Sequence, residues 1–229
     1  GDILLNGVGG SGNQKISFGD YDFDFGSGIT INHSNLVAND VNGLISLRGE
    51  GSFGSNIFTG HGVDVNDSNL YADRIITSGI SAEASKDGAS DQSAGIIFDK
   101  ANVRATSGIK LIGESANKDP ENANISHSAG AAIVDSSFLA LLGPINIEGT
   151  GGSGKSSSTD STGLFIANTD IRGSKIELKG VGGKTNDPMH SNIGVGIAIF
   201  GESNLSTRPG KNDLFPIIID KQDEQRNGT

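Results

Sequence analysis

Two short motifs recur in phase along this chain, and a repeat of that kind constrains the fold before any other feature is read. The first is an isoleucine, any residue, usually an aliphatic, any residue and a glycine. It stands as Ile3-Leu4-Leu5-Asn6-Gly7, Ile45-Ser46-Leu47-Arg48-Gly49, Ile75-Ile76-Thr77-Ser78-Gly79, Ile109-Lys110-Leu111-Ile112-Gly113, Ile145-Asn146-Ile147-Glu148-Gly149 and Ile176-Glu177-Leu178-Lys179-Gly180, at steps of 42, 30, 34, 36 and 31 residues. Thr77 is the departure at the third position. The second motif is a glycine, a short alternating strand and a Ser-Asn-Leu-like corner. Its first copies are Gly28-Ile29-Thr30-Ile31 leading to Ser34-Asn35-Leu36, and Gly62-Val63-Asp64-Val65 leading to Ser68-Asn69-Leu70. It returns from Gly95, Gly130, Gly163 and Gly196, the last copy carrying one extra residue before Ser203-Asn204-Leu205.

Apolar positions alternate with a period of two, so each segment reads as a strand with one buried face. Each cycle holds three such pieces, and none of them can form a core alone. Stacking the cycles solves this, because like positions then fall on one another. The expected columns are Ile29, Val63, Ile96, Ala131, Leu164 and Ile197; then Ile31, Val65, Phe98, Ile133, Ile166 and Ile199; then Leu36, Leu70, Val103, Phe138, Ile171 and Leu205. Small residues recur two places later, from Ala38 and Ala72 to Gly173 and Thr207. The fold class predicted is all-β: a single-stranded parallel β-helix of about six coils, with loops inserted at one phase. At about 4.8 Å per coil the rod would stand on the order of 29 Å tall.

The column after the corner serine reads Asn35, Asn69, Asn102, Ser137, Asp170 and Asn204. Asn and Asp tolerate left-handed backbone and bond their own main chain, and stacked amides bond along a ladder. This column is therefore read as a structural corner ladder. The insertions, residues 8–27, 50–61, 80–94, 114–129, 150–162 and 181–195, share one phase and should decorate one edge of the rod. Per-repeat insertions on one face are often where solenoids bind. The repeat domain is placed at 1–207, and 208–229 is read as a partial coil or terminal strand with a frayed tail. The chain opens directly on a motif strand, as a slice of a longer fibre would.

Composition excludes several alternatives. Glycine is abundant at 35 residues, but only five prolines and no G-X-Y period rule out collagen. No apolar run reaches eighteen residues, so no membrane insertion is expected. Without cysteine there are no disulfides, thiolate sites or cysteine nucleophiles. A formal net charge of −10 repels phosphate, which argues against nucleic acid as a partner.

The pairing of I-x-L-x-G with G-I-x-I-x-x-S-N-L-x-A, separated by Gly/Ser-rich insertions, resembles the filamentous-haemagglutinin-like exoproteins of two-partner secretion. The resemblance covers residues 1–207 and extends to high-molecular-weight adhesins and contact-dependent inhibition stalks. It implies a right-handed β-helix, export through an outer-membrane transporter partner, and a secreted or bacterial cell-surface location. In the adhesin branch it implies sialylated host glycans or glycoproteins as ligands. In the competition branch it implies an outer-membrane receptor of a target bacterium.

A β-helix can also carry a polysaccharide lyase or glycosidase. Such enzymes need acids clustered on neighbouring coils. The outward column of the second strand reads Val37, Tyr71, Arg104, Leu139, Arg172 and Ser206, and that of the first Thr30, Asp64, Ile97, Ala132, Phe165 and Ala198. Neither stacks two acids, so the chain is expected not to be an enzyme, with no catalytic residue and no obligatory cofactor. His33, His61, His127 and His190 lie in different cycles and read as lone surface histidines. One segment alternates acids with aromatics, Asp20-Tyr21-Asp22-Phe23-Asp24-Phe25. As an edge strand it would pack its aromatics on the rod. As a site, Asp20, Asp22 and Asp24 would offer oxygen ligands to Ca²⁺, and Tyr21 a surface for a sugar. The sequons Asn32, Asn66, Asn124, Asn204 and Asn227 complete the inventory; Asn32 and Asn66 share one phase before the corner serine, which favours a structural origin.

Overall fold

A computed structural model describes residues 1–9, 16–18, 21–23, 26–52, 60–82, 94–115, 127–152, 160–183, 194–207 and 217–222; at 16–18, 21–23, 127–128, 160 and 217–222 only the backbone path is described. The described secondary structure is all β, and apart from one antiparallel pair the strands stack in parallel as a solenoid. Three ladders run along the rod. The first joins Ile29–Asn32, Val63–Asn66, Ala94–Asp99, His127–Val134, Asp160–Ala167 and Ile197–Phe200 in one six-stranded sheet. The second begins at Asn35–Val37 and ends at Asn204–Thr207; the third begins at Ile3–Val8 and reaches Ile176–Val181. Asn69–Ile80 and Asn102–Glu114 run through both of these ladders and fuse them into an eleven-stranded sheet. Ile217–Gln222 adds a further parallel rung on Ile176–Val181.

In the first ladder the strands from Val63–Asn66 to Asp160–Ala167 have a neighbour on both sides. The expected six coils are thus about four enclosed turns with an outer rung at each end. The registers match the sequence columns residue for residue: Ile29 faces Val63, Val63 faces Ile96, Ile96 faces Ala131, Ala131 faces Leu164 and Leu164 faces Ile197. All six are buried. Period two puts every second residue inside, and each fully buried Val, Leu, Ile or Phe contributes about 1.5–3 kcal/mol. At the centre Phe98 meets Phe138 edge to face, with ring centroids 5.3 Å apart. Thr77 sits in the column between Leu47 and Leu111, fully buried, and its hydroxyl has no hydrogen-bond partner among the described residues.

Two columns of glycine close the cross-section. Each motif glycine lies against the glycine that opens a first-ladder strand: Gly7 against Gly28, Gly49 against Gly62, Gly79 against Gly95, Gly113 against Gly130, Gly149 against Gly163 and Gly180 against Gly196. A methyl group on any of these motif glycines would overlap the opposite carbonyl oxygen. None of the twelve has a left-handed φ. The requirement is for space, not for conformational freedom.

The corner between the first and second ladders departs from expectation. The left-handed residues are His33, Asp67, Lys100, Asp135 and Asn168, with φ of 41–51°, and Gly201 at 63°. They stand two places before the asparagine column in five turns and three before it at Gly201, where the extra residue falls. Asn35, Asn69, Asn102, Asp170 and Asn204 instead each begin a second-ladder strand or its shared long strand. Their backbone is already extended, so the turn has been made by the residue upstream. Bonding along the column does occur. Asn69 Nδ2 donates to Asn35 Oδ1 at 2.6 Å, Tyr71 Oη donates to Asn69 Oδ1 at 3.3 Å, and Asn102 Nδ2 donates to Tyr71 Oη at 2.8 Å. The Asp170 carboxylate accepts from Arg172 at 3.1 Å.

Between the left-handed residue and the asparagine column runs a line of hydroxyls. Ser34 N–H donates to Ser68 Oγ, Ala101 N–H to Ser136 Oγ, Ser136 N–H to Thr169 Oγ1 and Thr169 N–H to Ser203 Oγ, at 3.0–3.3 Å. The hydroxyls in turn donate within their own coil: Ser34 to the Asn32 carbonyl, Ser68 to that of Asn66, Ser136 to that of Val134 and Thr169 to that of Ala167, at 2.6–2.8 Å. The serines of the Asn32 and Asn66 sequons are therefore part of the corner. Ala101 is the position in this line without a hydroxyl.

Three outcomes follow for stability. Gly113→Ala drives a methyl into the Gly130 carbonyl and should cost about 3 kcal/mol, whereas Lys110→Ala, on the exposed side of the same strand, should stay within about 0.5 kcal/mol; the two urea midpoints check this. Thr77→Val replaces a buried hydroxyl by a methyl of similar shape and should raise stability by about 1 kcal/mol; a lower midpoint would show that the hydroxyl is satisfied. Ser136→Ala strips the acceptor from Ala101 N–H and should cost about 1–3 kcal/mol. Ala101→Ser should gain about 1 kcal/mol, so thermal unfolding should shift in opposite directions for these two variants.

Candidate functional site

The outer face of the third ladder carries a groove of about 690 Å³. One wall is the column Asn6, Arg48, Ser78 and Ile112; the other is Val8, Glu50, Ile80 and Glu114. Gly7, Gly49 and Gly79 line it between the walls, where no side chain rises. The furrow runs along four rungs between two outward columns, and the glycines between them point inward at the first ladder. Strand pleating puts both wall columns on the outside, two residues apart along each strand. Val8 and Ile80 are exposed apolar residues, 72% and 41% accessible, and Arg48 and Glu50 are exposed too. Glu114 is half-buried.

The groove can supply three kinds of contact. The Arg48 guanidinium is a planar fork of donors, and two carboxylates accept several hydrogen bonds each. Val8, Ile80 and Ile112 offer apolar surface. Among the described lining residues two carboxylates stand against one guanidinium. Glu50 and Glu114 both stand in register with Ile80, one on either side. Two rungs separate their Cα atoms by on the order of 10 Å.

The groove also lies at the root of the insertions. One residue past its second wall the ladder continues through backbone alone: Gly9 N–H donates to the Glu50 carbonyl, Gly51 N–H to that of Ile80, Ser81 N–H to that of Glu114 and Ser115 N–H to that of Thr150, at 2.8–2.9 Å. Segments 10–15, 53–59, 83–93 and 116–126, which depart just beyond, lie outside the described residues.

The residues singled out in the sequence fall elsewhere. Tyr21 and Asp22 lie on Tyr21–Phe23, which pairs antiparallel with Ile16–Phe18 so that Phe18 faces Tyr21 and Ser17 faces Asp22. This pair is a two-stranded sheet of its own rather than an edge of a ladder. Asp20 and Asp24 lie outside the described residues, so the three aspartates are not seen together. Among the described residues no group of three or more His, Cys, Asp or Glu is placed to hold a metal ion. His33 is exposed and its Nε2 lies 3.2 Å from Asp67 Oδ2. His61 is not a surface residue: it is buried, and its Nδ1 accepts from Ala94 N–H at 3.1 Å. His127 is described by its backbone only, and His190 lies outside the described residues.

Sequence reasoning tested the outward columns of the first and second strands for stacked acids. Two acids, Glu50 and Glu114, share a column of the third, in the residue that follows the motif glycine, with Ile80 between them. That column, Val8, Glu50, Ile80, Glu114, Thr150 and Val181, was readable from the repeat. The concavity beside it was not. No helix among the described residues is long and apolar enough to cross a membrane, which leaves strands aside. Comparison of the chain with protein families, with curated proteins and with solved structures finds no match.

Proposed function

We propose that this chain is a binding and structural segment of a secreted bacterial surface exoprotein. The stacked solenoid supplies a rod, and one edge of it carries the groove and the points from which the insertions leave. The observation that carries this reading is that the four groove rungs, Asn6–Val8, Arg48–Glu50, Ser78–Ile80 and Ile112–Glu114, stand next to the points at which four insertions leave the described strands. A surface repeated rung after rung favours an extended partner over a compact one. The motif resemblance to filamentous-haemagglutinin-like exoproteins supports the same reading and adds an outer-membrane transporter as the export partner. Adhesion to host glycans or glycoproteins is the first role proposed. A stalk or receptor-binding region of a contact-dependent inhibition protein, docking on an outer-membrane protein of a neighbouring cell, is the alternative.

Glu50 and Glu114 also favour a second reading. Two rungs approach the wider carboxyl spacing used by inverting glycosidases, in which one acid protonates the leaving oxygen and the other activates water. The proposal here is binding without turnover.

Beads coated with the purified chain should adhere to host cells or to bacterial cells. Replacing 53–59 and 83–93 by short Gly-Ser links should remove at least nine-tenths of that adhesion, about tenfold in bound beads. Adhesion unchanged by the replacement would overturn the loop-edge reading. Release of reducing sugar that disappears in both Glu50→Gln and Glu114→Gln would establish the enzymatic reading instead.

A further inference from the structure

We propose that the groove on the third ladder binds a linear, uncharged pyranose glycan laid lengthwise along the rod. This rests on the binding reading above and names the ligand class. Four observations lead to it.

The first is length. The walls span four rungs, and three steps of about 4.8 Å set the outer pairs on the order of 14 Å apart. A monosaccharide or small metabolite would leave most of the furrow empty. The second is period. Wall positions recur at every rung and the apolar–acidic pattern of one wall at every second rung, so a partner benefits most when one or two of its units match one or two rungs. An extended peptide advances about 3.3 Å per residue and returns a side chain to the same face every second residue, about 6.6 Å. It falls out of step within two rungs. A pyranose unit in an extended chain is close to one rung long and stays in step.

The third observation is amphipathy. One wall alternates apolar and acidic side chains: Val8, Glu50, Ile80, Glu114. A pyranose ring presents C–H groups on its faces and hydroxyls at its rim. Val8 and Ile80 suit the first, and a carboxylate that accepts from adjacent hydroxyls suits the second. From the opposite wall the Arg48 guanidinium donates to ring or hydroxyl oxygens. The fourth is charge. Among the described groove residues the acids are Glu50 and Glu114 and the base is Arg48, on a chain whose formal net charge is −10. A sialylated, sulfated or uronic-acid glycan would bring anions into this field. The groove therefore points away from the sialylated ligands that the family resemblance implies.

The test is a calorimetric titration of the intact chain with cello-oligosaccharides and chito-oligosaccharides of one to six units, and with β-1,4-linked oligoglucuronate as the acidic counterpart of the first. Affinity should climb with each unit up to the tetrasaccharide and then level off. Glu50→Gln and Arg48→Ala should each weaken tetrasaccharide binding about tenfold, the loss expected for one charge-assisted hydrogen bond. Oligoglucuronate should bind at least about tenfold more weakly than the cello-oligosaccharide of the same length. Both substitutions lie on exposed side chains, and an unchanged far-ultraviolet circular dichroism spectrum checks the fold. As a readout that needs no variant, amide shifts on adding the tetrasaccharide should concentrate at Asn6–Val8, Arg48–Glu50, Ser78–Ile80 and Ile112–Glu114. No heat from any neutral oligosaccharide at millimolar concentration overturns the proposal. So does tighter binding of the acidic oligomer, or shifts that fall outside the groove. Cell adhesion of the loop-shortened chain reports on the broader reading and oligosaccharide binding by the intact chain on this one, so either can fail alone.

Discussion

At six successive levels a glycine of the third ladder lies against a glycine of the first, with no side chain between them. Everything else in the rod depends on that contact. It brings the end of one turn back to the start of the next strand, so that three short ladders enclose a single apolar column. If the contact were held open by even a methyl group, the first and third ladders would part and the packing of Ile29, Ile45 and their equivalents would loosen. The same contact ends each turn of the rod before the insertion begins. Loop sequence and core sequence are thereby separated, which is why steps between 30 and 42 residues produce turns in one register.

Inside this closure two different interactions hold neighbouring turns. The apolar columns provide most of the stabilisation, without direction. The hydroxyl line at the corner supplies direction, because each buried N–H there must find an acceptor on the adjacent coil. Ser68, Ser136 and Thr169 accept across the gap and donate within their own coil, so each hydroxyl serves two turns. On the outside of the corner the left-handed residues form a column of their own. It runs His33, Asp67, Lys100, Asp135, Asn168, and basic and acidic groups alternate before the amide.

Much of this was legible in the sequence, and the reasons are specific. Ile29, Val63 and Ile96 could be aligned because a buried column accepts only apolar residues of suitable size. The motif glycines could be aligned because the space at the contact accepts nothing else. The left-handed column was missed because its constraint is on backbone, which Asp, Asn and Gly satisfy easily and which His33 and Lys100 satisfy at some cost. Four of its six positions are Asp, Asn or Gly, residue types so common elsewhere in the chain that they did not mark it. Asn35 and Asn69 were conspicuous for the opposite reason, since amide-to-amide bonding repeats the residue type without making the turn. The Glu50 and Glu114 pair lay in a readable column, but the furrow that makes the column worth reading arises from packing, which alternation does not encode. His61 looked like a surface residue because its partner, the Ala94 amide, is a cycle away and belongs to the main chain.

The ladder hydrogen bonds of this rod run along its axis, since they join one turn to the next. Tension applied to its two ends would load those bonds rung by rung, as in opening a zip, and not all at once in shear. The outermost turn would peel first while its neighbours stayed shut. A turn of 30–42 residues then pays out about 100–150 Å of slack. A rod built this way would lengthen under pull in instalments set by the length of each turn.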